Sequence, residues 1–168
     1  MFRITPTPKN TYAKTLCTVC LFLGAALFVF AGIDGVDFPI LPQFLGMISL
    51  TVSIYIASLY LLRQYTFSID LNPASENNEL DLVILEHKGK REITVCRIGI
   101  GDIVSVREVS AQNKKQVMAE RKKLKCYTYD TSFIAPRRIE VNCHLGDEDF
   151  SILITYDEQL LMSLKRYI

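Results

Sequence analysis

The densest set of chemistry-bearing side chains in this 168-residue chain is a run of cations, Lys114, Lys115, Arg121, Lys122, Lys123 and Lys125, opposed locally by one acid, Glu120. Cations at that density attract phosphate or carboxylate groups, whether on a lipid leaflet or on an acidic protein segment, although such a run is usually a solvated, partly helical loop. Arg137 and Arg138 make a second basic pair, read as exposed. Cys17 and Cys20 have the two-residue gap of a redox or metal pair, but they stand among apolar residues with no His or carboxylate nearby, so small apolar packing is the better account. Five cysteines are an odd number, which argues against a disulfide framework. Cys96, Cys126 and Cys143 are isolated; Cys143 shares an apolar face with Ile139, Val141 and Leu145, which predicts burial and inertness. His87 and His144 belong to no metal-ligand spacing. Gly99-x-Gly101 lacks the third glycine and the helix of a dinucleotide site and reads as a hairpin turn. No phosphate loop, nucleophile elbow or paired-histidine zinc motif is present, and Asp102, Asp130 and His144 can meet only through the fold. These residues therefore predict no catalytic group, metal or cofactor; a membrane-tethered hydrolase or redox protein is the third-ranked alternative and requires a clustered polar pocket.

The elements that carry these residues divide sharply. Hydrophobic residues make up 49% of the chain and mean hydropathy is +0.20, and the excess lies in two uncharged stretches, one between Lys14 and Asp34 and one between Asp37 and Arg63. Each is long enough to cross a bilayer, so a wholly soluble protein is excluded. The first span covers about 15–33 and extends about 28 Å as a helix. The second is placed at about 43–63, running on toward Tyr65, because Pro39 and Pro42 suit a helix interior poorly. Asp34, Gly35 and Asp37 complete a short turn, which allows only an antiparallel hairpin, with residues 1–14 as a tail and 64–168 as a separate domain. Gly46, Ser49, Ser53 and Ala57 on the second helix are expected to face Cys20 and Gly24 on the first, since small residues let helices approach closely in lipid; within one chain this is favoured over a homodimer. Arg3, Lys9, Lys14 and Arg63 flank the spans and the turn has no cation, which places both termini in the cytoplasm of a cell membrane. A signal peptide is the rival reading of residues 1–31, but its apolar core would be unusually long and no clean cleavage site precedes Asp34. Neither span holds an ionisable Asp, Glu, Lys, Arg or His, which disfavours an ion or proton pathway.

From Gln64 onward 15 basic residues meet 16 acidic ones, a balance that excludes an ordinary nucleic-acid binder. The period switches to two: Tyr65, Phe67, Ile69 and Leu71 alternate with Thr66, Ser68 and Asp70. Further strands are predicted at 80–87, 91–98, 102–110, 123–130, 138–145 and 149–156, separated by Asn72-Pro73, Asn77-Asn78, Lys88-Gly89-Lys90, Ala135-Pro136 and Gly146-Asp147. Leu160, Leu161, Leu164 and Ile168 then recur at helical spacing, with Asp157 and Glu158 at the start and Lys165 and Arg166 at the end, which matches a helix dipole.

The entry RQYTFSI, the strand opening GIGDIVSVREV and the closing helix DEQLLMSLKRYI, in this order, resemble the pleckstrin-homology (PH) superfold. With two preceding helices the whole chain resembles the bacterial PH-like membrane proteins. The resemblance implies a membrane α-helical hairpin plus an α+β domain, namely a seven-stranded antiparallel, partly open barrel capped by the C-terminal helix. It also implies a binding or assembly role rather than a reaction. In lipid-binding members basic residues around the first hairpin loop grip an inositol phosphate, whereas here that loop reads NPASENNE, with Glu76 and Glu79 and no cation; phosphoinositide recognition by that route is not expected. In an up-and-down meander the loops holding Lys88, Lys90 and Arg91, and Lys114 to Lys125, would both return toward the membrane. The leading expectation is a module that recognises a protein partner, or its own copies as a homo-oligomer, through Lys114 to Lys125, Arg137 and Arg138. Anionic-lipid sensing by the same loops is the alternative.

Overall fold

The computed structural model describes residues 2–7, 10–33, 38–73, 79–121 and 124–168. The chain divides into a helical unit, Lys9–Arg63, and a sheet unit made of Met1–Pro8 and Gln64–Ile168.

In the helical unit, α1 (Thr11–Ala31) and α2 (Ile40–Ile56) carry the two apolar stretches, and α2 runs on as one π-helical turn, Ala57–Leu61, closed by Leu62 N donating to Ala57 O at 3.0 Å. Both are long and apolar enough to cross a membrane. The second helix begins at Ile40, earlier than the proline argument placed it. Pro42 sits in its first turn, where the backbone N–H has no helical partner to lose. Its α-helical part also ends earlier, and Tyr65 belongs to a strand. The helices meet through small residues: Ser49 Oγ donates to Cys20 O at 2.7 Å and Ser53 Oγ to Cys17 O at 2.9 Å. A Cβ on Gly24 would lie 2.7 Å from Leu50 Cγ, and one on Gly46 would lie 3.1 Å from Gly24 O, so both glycines are required by the approach. Ala57, half-buried, opens the π turn. At the other end of α1, buried Asn10 donates Nδ2 to Tyr60 O at 2.7 Å, linking the start of α1 to the end of the second helix.

The sheet unit holds, among the described residues, eight strands in two four-stranded sheets. The first sheet is β1 (Phe2–Ile4), β2 (Arg63–Leu71), β3 (Leu80–Lys88) and β4 (Arg91–Gly99) in spatial order. The second contains β5 (Ile103–Ser110), β6 (Lys125–Tyr129), β7 (Arg137–Leu145) and β8 (Glu148–Thr155) in the order β5-β7-β8-β6. Two helices complete the unit, α3 (Lys114–Arg121) between β5 and β6 and α4 (Glu158–Tyr167) at the end.

Two features correct the seven-stranded barrel. First, the tail contributes a strand: Phe2 pairs with Ile69, Arg3 with Ser68 and Ile4 with Phe67. Three alternating residues are too short to register as a strand on their own and acquire that state from the partner they pair with. Second, β6 runs parallel to β8, while β7 is antiparallel to both β5 and β8. Strands β5 and β6 therefore run in the same direction on opposite edges, and their connection is a crossover through α3 rather than a hairpin loop. The meander parity that assigned the basic connection to one end of the domain fails for this reason, and the described sheets form no closed barrel.

Inward faces of both sheets supply one core: Phe67 and Ile69 from β2, Leu82 and Ile84 from β3, Ile139 and Val141 from β7, and Ile152 and Ile154 from β8. Leu160, Leu161 and Leu164 of α4 join it. Asp157 fixes the start of α4, its side chain accepting from Leu160 N at 3.0 Å, as an N-cap aspartate should.

Candidate functional site

The crossover helix decides the geometry of the basic residues. Along β7, Ile139, Val141 and Cys143 point into the core, so Arg138, Glu140 and Asn142 point to the opposite face of the second sheet. That face is nevertheless closed at its centre: Glu140 and Ser151 are both 0% exposed. Helix α3 lies over it, with Val117 buried, and is tied down by Arg107 of β5. Arg107 Nε donates to Glu140 Oε2, and its Nη1 donates to Glu120 Oε2 of α3 at 2.6 Å. Ser151 Oγ donates to the other Glu140 oxygen at 3.0 Å, so the buried carboxylate is satisfied on both sides. Burial pulls the Arg107 pKa down, but the hydrogen bonds to Glu120 and Glu140 outweigh it and the net shift is upward. The same guanidinium, and then Gln116, hold Glu120 below the usual carboxylate range.

The cations that the sequence picks out fall into three groups. Several are spent on internal pairs. Arg138 Nε donates at 2.6 Å to Asp130, whose side chain is fully buried and also accepts from Thr155 Oγ1 at 3.0 Å and Ser132 N at 2.9 Å. Lys125 pairs with Glu148 at 2.7 Å, which raises its pKa, and Arg137 lies 5.5 Å from the Tyr156 ring centroid and 3.4 Å from Glu108. Arg121, half-buried, ends α3, and Lys122 and Lys123 lie outside the described residues, as does Glu76 of the acidic loop. Lys114 and Lys115, exposed on the first turn of α3, have no acidic partner among the described residues.

Although distant in sequence, the two basic sets meet in space. Ser110 pairs with Arg137 and Val109 with Arg138 across β5 and β7, which brings the end of β5 and the first turn of α3 beside the arginine pair. Between them opens a small cleft of about 110 Å³ lined by Val109, Ser110, Ala111, Lys114, Ala135, Pro136 and Arg138. Val109, Ala111, Ala135 and Pro136 make most of its lining apolar, and Lys114 and the Asp130-bound Arg138 bring cations to it, a combination that suits a carboxylate or phosphate group.

Other chemistry is accounted for differently. Asp130 sits by Arg138 at the start of β7, whereas His144 lies near the far end of that strand and bonds Asp149 Oδ1 at 2.7 Å, so these two do not converge. Sequence reasoning missed a hydroxyl–imidazole chain on the first sheet. Thr5 Oγ1 lies 2.7 Å from Thr66 Oγ1, which lies 2.6 Å from His87 Nε2; His87 Nδ1 is 3.6 Å from Glu92, and Glu92 accepts from Arg3 at 2.9 Å. It has the order of a nucleophile triad, but Thr66 is 0% exposed and hydrogen-bonded on both sides, so it presents no nucleophile. What the chain does is fasten β1 to the sheet. Burial is the main cause that pushes Tyr129 and Cys143 up to about 12. Among the described residues no three His, Cys, Asp or Glu side chains converge as metal ligands. Compared with protein-family models, curated proteins and solved structures, the chain finds no match.

Proposed function

We propose that the chain is a membrane-anchored binding module that holds an acidic protein segment, on a partner or on another copy of itself, at the basic corner of its second sheet. In this reading α1 and α2 cross the cell membrane as a hairpin and the sheet unit works on the cytoplasmic side. The β1–β2 pairing supports the hairpin, because the chain before α1 and the chain after α2 enter one sheet and so share one side of any bilayer. Flanking Arg3, Lys14 and Arg63 favour the cytoplasm for that side. Kinship with the bacterial PH-like membrane proteins agrees with the element order and the closing helix, while the parallel β6 departs from the expected meander.

The observation that carries the proposal is the convergence of Lys114 and Arg138 on one cleft, with Arg137 adjacent and Lys114 and Lys115 free to pair. A photo-crosslinking residue at Ala111, in the cleft wall, tests it in the full chain in native membranes. Polypeptide adducts that disappear in a Lys114→Glu, Lys115→Glu variant support the reading. Adducts with lipid alone move the corner to anionic-lipid sensing, and polypeptide adducts indifferent to charge reversal remove it.

A further inference from the structure

We infer that the acidic segment seated in the cleft is the β7–β8 hairpin tip of a second copy of this chain, an inference that rests on the acidic-segment reading above. The two ends of β7 differ in net charge. One end carries Arg137 and Arg138, paired with Glu108 and Asp130, together with Lys114 and Lys115; the other carries the tip Asp147-Glu148-Asp149, with Lys125 on Glu148. Glu148 is held by Lys125 at 2.7 Å and Asp149 by His144 at 2.7 Å, which brace the tip and leave Asp147 as its unpaired carboxylate among the described residues. Leu145 pairs with Glu148 across a two-residue turn whose first residue, Gly146, has φ +62°, the conformation a tight hairpin needs there, and Asp147 is exposed at that turn. The cleft that Lys114 and Arg138 help to line is complementary in charge to that carboxylate.

The tip cannot fill the cleft of its own chain. Arg138 and Gly146 stand at opposite ends of β7, about 26 Å apart at the rise of an extended strand. Net charge is only +1 over the chain, so copies repel weakly while their opposite ends attract, which favours head-to-tail contact. Two copies set antiparallel exchange both contacts at once, each tip in the other's cleft, and close a two-fold dimer, whereas a single contact leaves a free tip and a free cleft and extends into a ring or a row.

Full-length chains carrying two different tags, co-expressed and extracted in mild detergent, test the inference. Wild-type copies are expected to co-purify. Lys114→Glu in both copies, or Asp147→Lys in both, should lower co-purification about tenfold. A Lys114→Glu copy mixed with an Asp147→Lys copy should recover it, because the intact cleft of one still meets the intact tip of the other; that recovery also shows that the variants are folded. Absent wild-type association, insensitivity to both substitutions, or loss without recovery in the mixed pair each overturns the inference. Crosslinking from Ala111 separates its failure from that of the reading beneath it. Adducts with a different polypeptide that vanish in Lys114→Glu but persist in Asp147→Lys leave the acidic-segment reading standing and remove the second copy. Adducts unchanged in Lys114→Glu remove both.

Discussion

Arg107 holds two carboxylates of different character, and the difference sets what its removal should do. Glu140 is fully buried, and without the guanidinium it keeps only Ser151 as a partner. Losing one partner of a buried pair costs about 3–5 kcal/mol, so Arg107→Ala should lower the stability of the sheet unit by about that amount in urea unfolding, whereas a cost below about 1 kcal/mol would mean that water satisfies Glu140. Glu120 is exposed, and its depressed pKa contributes stability that is present above the ordinary carboxylate pKa and lost as pH falls through the depressed one. The alkaline limb has the opposite sign. Tyr129 and Cys143 are raised to about 12 from 10.0 and 9.0, so the native state keeps protons that the unfolded chain gives up. Stability should be fully present below pH 9.0, fall as pH rises through the window from there to about 12, and depend less on pH in a Tyr129→Phe variant. A thermal melt series over that window reads it directly; an unaltered slope in the variant would assign the limb to other groups. At pH 8, iodoacetamide should modify exposed Cys126 well before buried Cys143.

At the scale of elements, the hairpin and the sheets were legible to different depths. Alternation marked β2 to β8 within a few residues, and the charge gradient along 157–168 marked α4, because strand faces and helix ends are local properties of sequence. The small residues Cys20, Gly24, Gly46, Ser49 and Ser53 also stood out, since helical spacing aligns them whatever the partner. Pairing is not local. Nothing in Lys114 to Arg121 states that α3 is a crossover, because the information lies in which edge β6 joins, and that is fixed by its pairing with β8, more than twenty residues further on. Likewise the arginine pair was legible as basic, but Asp130, the acid that engages Arg138, was not legible as its partner, being eight positions away with a turn between. In the helical unit the close approach makes a specific claim. Gly24→Val places methyl groups where Leu50 already lies 2.7 Å from a Cβ, and should separate α1 from α2. Ser49→Ala and Ser53→Ala should each cost only about 0.6 kcal/mol, the usual worth of a hydrogen bond between helices in lipid. Steric-trap unfolding in bicelles ranks the three; serine variants as damaging as Gly24→Val would shift the stabilisation from packing to hydrogen bonding.

For the whole molecule, the N-terminal strand constrains topology more tightly than the charge rule does. Positive flanks bias orientation, but a strand that precedes α1 and pairs with one that follows α2 requires an even number of membrane crossings between them. Arg3 bonded to Glu92 and Thr5 bonded to Thr66 fasten that strand to the sheet. Position 7 and Cys126 must therefore lie on the same side, and native Cys126 is an exposed reporter already in place. With a membrane-impermeant maleimide, Thr7→Cys and Cys126 should both stay unlabelled in intact cells and both react in inverted membranes, while Gly32→Cys, just past the end of α1, should show the reverse. Labelling of Thr7→Cys and Cys126 from opposite sides would contradict the β1–β2 register itself. Labelling of both from outside would keep the register and move the basic corner to the extracellular face, where no cytoplasmic partner or sister copy facing inward could reach Lys114.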